Sequence, residues 1–139
     1  MSFMESIRTC LSKYATFSGR AQRSEFWWFM LFLIIAQILL GLVDSMIFPP
    51  TEVMSMTSSM QDGYNFNFSY QPQPITAIFL LAMLLPNLGV GVRRLHDTGR
   101  SGWWWLIGLI PLIGLIVLIV FFATKGTEGD NAYGPDPLA

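Results

Sequence analysis

Charge is what this sequence has least of. Asp, Glu, Lys and Arg together make up 12% of its 139 residues, about half the ~25% usual in soluble domains. All of them except Asp44 lie outside three long apolar runs. Net charge is −1, so no overall field draws the chain to nucleic acid, and no nucleic-acid partner is expected. A single cysteine, Cys10, excludes an intrachain disulfide. A single histidine, His96, lies far from Cys10 in sequence. No ligand set of the kind metal sites need is therefore expected. There is no glycine-rich phosphate loop, and no cofactor is expected. A cleavable leader is not expected either. The first apolar run begins only at Phe26, is too long, and lacks a small-residue cleavage site.

What the chain has in abundance is apolar sequence, 53% of all residues. Its arrangement predicts an all-α membrane protein of one domain, 1–139, with three transmembrane helices preceded by an N-terminal amphipathic interfacial helix. Residues 2–17 carry Phe3, Ile7, Leu11 and Tyr14 at helical spacing, with Glu5, Arg8 and Lys13 off that stripe. That pattern suits a helix lying in the membrane interface, with docking onto the other segments as the alternative. Residues 26–48 form the first span, long enough at about 1.5 Å per residue for a hydrocarbon core of about 30 Å. Pro49-Pro50 ends it.

Residues 49–74 read as a polar outer loop without Lys or Arg. Tyr64, Phe66, Phe68 and Tyr70 alternate there with polar residues at strand spacing, so a short hairpin fits, as does disorder. Residues 75–92 form the second span, with a kink expected at Pro86-Asn87. Residues 93–102 form a cytoplasmic loop. Residues 103–123 form the third span, interrupted by Gly108, Pro111 and Gly114. A single kinked crossing is expected, with a re-entrant hairpin turning at Pro111 as the alternative. Residues 124–139 form an irregular tail rich in Gly, Pro and Asp.

Orientation follows from the basic residues. Arg8, Lys13, Arg20 and Arg23 precede the first span, and Arg93, Arg94 and Arg100 separate the second from the third. Both regions, the N-terminus and the 93–102 loop, are expected in the cytoplasm. Arg23-Ser24-Glu25-Phe26-Trp27-Trp28 and Arg100-Ser101-Gly102-Trp103-Trp104-Trp105 echo each other. Each serine is suited to cap a helix start. Trp27, Trp28, Trp103, Trp104 and Trp105 are suited to anchor in the headgroup layer.

Three stretches together resemble a known family. They are Phe17-Ser18-Gly19-Arg20-Ala21-Gln22-Arg23-Ser24-Glu25-Phe26-Trp27-Trp28, then Arg93 through Trp104, then Gly126-Thr127-Glu128-Gly129-Asp130-Asn131-Ala132-Tyr133-Gly134-Pro135-Asp136-Pro137. They are similar to domain of unknown function 805, the YhaH-like small bacterial inner-membrane proteins. The resemblance covers nearly the whole chain apart from the outer loop. It implies a multi-pass protein of the bacterial inner (cytoplasmic) membrane, and it supplies no catalytic residues.

The residues that carry chemistry are few. Arg20, Arg23, Arg93, Arg94 and Arg100, with His96, Asp97 and Ser101, are candidates to bind anionic lipid or a small anion at one membrane face. The plainer reading is that these arginines only enforce orientation. His96, Asp97 and Ser101 lie too close in sequence to converge as a catalytic triad, and no enzyme is expected. Gln37, Asp44 and Asn87 are the polar residues within the spans. An ionisable residue there marks function by default, although Asp44 lies near enough to the end of its span to be an interfacial aspartate. Helix packing with a second copy or another membrane protein is the expected mode of action, with membrane lipid as a further partner. A transporter or channel subunit lined by Gln37, Asp44 and Asn87 is the alternative. A membrane enzyme acting on lipid headgroups ranks third.

Overall fold

A capping box starts the first helix. The Ser2 hydroxyl accepts from the Glu5 backbone N–H, and the Glu5 carboxylate accepts from the Ser2 backbone N–H, so two of the orphan donors at the helix start are satisfied. In the computed structural model, residues 1–57 and 65–138 are described, with the backbone alone for 52–57 and 65–69. Helix α1, Phe3–Ser12, is shorter than the 2–17 expected from periodicity. Its buried face is Ser6 and Cys10, not the apolar stripe. Leu11 and Tyr14 remain exposed, and Phe3 and Ile7 half-buried. The Ser6 hydroxyl donates to the Glu25 carbonyl, which docks α1 on the next helix.

Helix α2, Arg23–Ile47, and helix α3, Pro74–Asp97, are each long and apolar enough to cross a membrane. Both outrun the apolar runs that announced them. Helix α2 starts three residues before Phe26, so Ser24 lies inside the helix and does not cap it. Helix α3 continues through Arg93 and Arg94 to Asp97, so the expected 93–102 loop is largely helix. Its end is set by Gly99, whose φ of +77° suits the residue just past a helix. Gly99 N–H donates to the His96 carbonyl and Arg100 N–H to the Leu95 carbonyl, both at 2.9 Å, which is the Schellman termination. The polar segment between α2 and α3 contains an antiparallel pair, β1 Thr51–Thr57 and β2 Asn65–Tyr70, running from Thr51 opposite Tyr70 to Thr57 opposite Asn65. Tyr64, the first residue of the expected alternation, lies outside the described residues.

The third apolar run is not one helix. Gly102–Leu109 is a 3-10 helix and Ile113–Ala123 is helix α4. Between them Leu112 adopts φ +63° and ψ −61°, and Ile113 N–H donates to the Pro111 carbonyl at 2.7 Å. This is a γ-turn around a non-glycine residue, a rare and strained conformation. The one kinked helix expected over 103–123 is therefore corrected to two short helices that pack on each other. Proline removes a backbone donor at the break, and the turn reverses the chain. The contact is close: a Cβ on Gly114 would collide with the Ile107 carbonyl.

The described chain divides into two compact units, 1–34 with 83–139, and 35–82. The core of the first comprises Phe26, Phe29, Val90, Leu95, Leu118 and Phe122, with Cys10 and Ala21. In the second, Asp44 is buried, and its carboxylate accepts from Ile75 N–H at 3.1 Å, Thr76 N–H at 2.9 Å and the Thr76 hydroxyl at 2.8 Å. It caps α3 from the neighbouring helix, which accounts for an acid in a span without invoking transport.

Gly114→Ala should cost about 1–3 kcal/mol, because the obstacle is backbone and cannot rotate aside. Unfolding in detergent, compared with Gly108→Ala, checks this.

Candidate functional site

The three separated motif stretches meet in one buried cluster of charge. Asp97 ends α3, and each of its carboxylate oxygens takes an arginine. Oδ1 accepts from Arg20 Nε at 3.0 Å, and Oδ2 accepts from Arg94. All three side chains are at most 4% exposed. One turn before Asp97, Arg93 donates to the buried Glu25 carboxylate on α2. Helical spacing explains the division: Arg94 and Asp97 are three apart and share a face of α3, whereas Arg93 is turned toward α1 and α2.

The positive charge exceeds the negative here, and backbone carbonyls supply the difference. Arg94 donates to the carbonyls of Phe122 and Thr124 at the C-terminal end of α4, and to that of Ala21. A cation so placed satisfies orphan carbonyls and opposes the negative end of the helix dipole. Arg20 donates to the carbonyls of Thr127, Gly129 and Gly134. The tail is thus irregular as expected, but it is wrapped around a guanidinium. A Cβ on Gly126 would strike the Asp97 carboxylate, so this segment approaches only because it begins with glycine. Asp136 helps fold the tail back. The Leu138 and Gly129 backbone N–H groups hold its carboxyl below the usual carboxylate range.

His96 faces away from Asp97. Its Nδ1 lies 3.0 Å from the Gly19 carbonyl, its ring stacks on Tyr133 at 4.1 Å, and its carbonyl accepts from Asn131. With a carbonyl as partner, Nδ1 must be the protonated nitrogen. His96 and Asp97 thus serve different partners. His96 and Ser101 do line one cleft of about 490 Å³ with Phe17, Val92, Gly102 and Trp103. The Ser101 hydroxyl accepts from Trp103 N–H and caps the 3-10 helix. Among the described residues no group of three His, Cys, Asp or Glu could hold a metal.

The other candidates scatter. Arg100 lies over the Phe121 ring at 4.1 Å. Arg23 makes one long bond, to the Ala123 carbonyl at 3.5 Å, and is exposed. Trp27, Trp28, Trp103 and Trp104 are exposed, but Trp105 packs against Gly91 and Phe122. Gln37 is exposed, and the Asn87 side-chain oxygen is buried without a partner among the described residues.

Sequence reasoning missed Glu25, Cys10 and Tyr133. Glu25 had a signal, being the one acid in a basic collar at a helix start. The Cys10 thiol lies 3.8 Å from the Glu25 carboxylate. Burial and that carboxylate push it up to about 12, so it is protonated and inert at neutral pH.

The chain is similar to known proteins over nearly its whole length. The family model described as "Protein of unknown function (DUF805)" matches residues 14–135. "Inner membrane protein YhaH" of Escherichia coli is 40% identical over 127 residues, covering 91% of each chain. "Inner membrane protein YhaI" of the same organism is 37% identical over 134 residues, covering 96% of each. No solved structure matches the chain.

Glu25→Gln should destabilise the protein by about 3–5 kcal/mol, because it leaves the buried Arg93 uncompensated. The double variant Glu25→Leu/Arg93→Leu should be less destabilised than either single one. A double-mutant cycle by unfolding in detergent reads both.

Proposed function

The chain belongs to the DUF805 family, and on that premise we propose that it is an integral protein of the bacterial inner membrane that acts by packing, with a second copy or another membrane protein, and not by catalysis. One observation carries this reading. The motif residues that look catalytic are engaged in holding the fold: Asp97 by two arginines, Arg94 and Arg20 by backbone carbonyls, His96 by Gly19 and Tyr133. The surface left for interaction is apolar, along both long helices and on the short pair that follows them.

Two crossings, by α2 and α3, return the chain to the cytoplasmic face where it began. The 3-10 helix and α4 then form a re-entrant hairpin. Helix α4 is about 16 Å long at 1.5 Å per residue, roughly half of a 30 Å hydrocarbon core. The hairpin enters at the exposed Trp103 and Trp104 and turns at Leu112. It returns to Phe122 and Thr124, whose carbonyls Arg94 binds. The tail then lies on the cytoplasmic side, and Lys125 joins the other seven basic residues there, in keeping with the positive-inside rule. Helix α1, docked by Ser6 and Cys10 with Leu11 and Tyr14 of its apolar stripe exposed, lies in the interface of the same leaflet. The exposed Arg23 reaches anionic headgroups.

A fluorescent protein fused after Ala139 should fluoresce in intact cells. Activity of alkaline phosphatase at the same position would instead require a third crossing. Mass measurement in native lipid discs should give more than one 15.7 kDa chain, or a co-purifying membrane protein. A lone monomer sinks the packing model.

A further inference from the structure

Of the five arginines grouped by sequence, Arg20 and Arg94 spend their donors on Asp97 and on backbone carbonyls, and Arg93 is wholly buried. None of the three can meet a ligand from outside. Arg23 differs. It stands exposed at the start of α2 and is shared by two adjoining hollows. One, of about 500 Å³, is lined by Arg23, Ser24, Trp27, Trp28, Leu31 and Ala123. The other, of about 300 Å³, is lined by Gln22, Arg23, Ser24 and Leu138. The first is a strip of apolar side chains and the second is edged by an amide, a hydroxyl and a guanidinium.

We infer that these two hollows form a single binding site for one anionic phospholipid, its phosphate at Arg23 and Ser24 and an acyl chain along Trp27, Trp28 and Leu31. Ser24, Trp27, Trp28 and Leu31 follow at three- and four-residue spacing and so form one face of α2. Ile34, also exposed, continues it. From Arg23 to Ile34 the face measures about 16 Å at 1.5 Å per residue, close to the depth of one leaflet. An ordered polar-to-apolar sequence of that length matches an amphiphile and not a soluble anion, which would use only the polar end. The guanidinium supplies charge complementarity and fork geometry for phosphate oxygens. This site deepens the lipid-contact part of the proposed function and rests on it.

The test uses the full chain, purified gently and offered equal amounts of phosphatidylglycerol and phosphatidylethanolamine, with bound lipid read by native mass spectrometry. The wild type should retain one phosphatidylglycerol per chain in preference. Arg23→Gln should lower that preference about fivefold, the worth of one basic contact at a membrane surface. Leu31→Trp, which fills the apolar hollow and leaves Arg23 intact, should lower retention of both lipids. Arg100→Gln should change neither, and all variants should melt like the wild type. If Arg23→Gln and Leu31→Trp behave as the wild type while Arg100→Gln loses the preference, this site is wrong and lipid contact lies elsewhere. No preference in the wild type overturns both. Displacement of the lipid by millimolar inorganic phosphate would make the site one for a small anion and overturn the phospholipid assignment.

Discussion

Asp97 is held by two arginines at once, and much of the first unit is arranged to keep that carboxylate and those guanidiniums paired away from water. Taking an ion out of water costs several kcal/mol, recovered only when every oxygen and N–H finds a partner. Arg20 recruits the tail carbonyls, and Arg94 recruits the end of α4. A loop, a helix end and a tail are thereby fixed to α3. The adjacent Glu25–Arg93 pair does the same for α1, through the Glu25 carbonyl and Cys10. Arg93 retains two buried donors without partners among the described residues, which makes it the weaker of the two clamps.

The division of labour between charge and apolar surface follows. In a water-soluble protein apolar side chains would fill the interior and charges cover the outside. Here Arg93, Arg94 and Asp97 are buried while Ile34, Leu106, Leu109 and Leu112 are exposed. Lipid tails are as apolar as leucine, so helices gain little from burying leucine against leucine in a bilayer. Polar pairs and close small-residue contacts, such as Gly114 against Ile107, hold the elements together instead.

Legibility from sequence tracked the physics each signal reports. The two long helices were readable because an apolar run long enough to span a bilayer has few other uses. Their ends were not, because hydropathy stops at the first charge. Arg23, Glu25, Arg93 and Arg94 continue the helices by finding partners. The third run had the composition of a crossing, with a hairpin turning at Pro111 as the alternative. Pro111 was a signal for the break, but nothing about a leucine announces the positive φ of Leu112. The arginines were visible as charges, and their fates were not. A guanidinium that binds backbone carbonyls a hundred residues away leaves no spacing to read, since carbonyls belong to every residue type. Adjacency says little at His96-Asp97: neighbours on a helix point about 100° apart, and these two serve different partners. The tail glycines were legible only as breakers of regular structure, although Gly126 is required by the approach to Asp97.

The carbonyls that close around Arg20 belong to residues made 107 to 114 positions after it. At a synthesis rate of about 5–20 residues per second, Arg20 emerges several seconds before anything that will satisfy it. Throughout that interval the nascent chain carries Arg20 without those partners, with Asp97 itself arriving only after both long helices are made. Closure of the tail around Arg20 is therefore a late step. A chain that ended before residue 127 would leave the Arg20 N–H groups that bind Thr127 and Gly129 without those carbonyls.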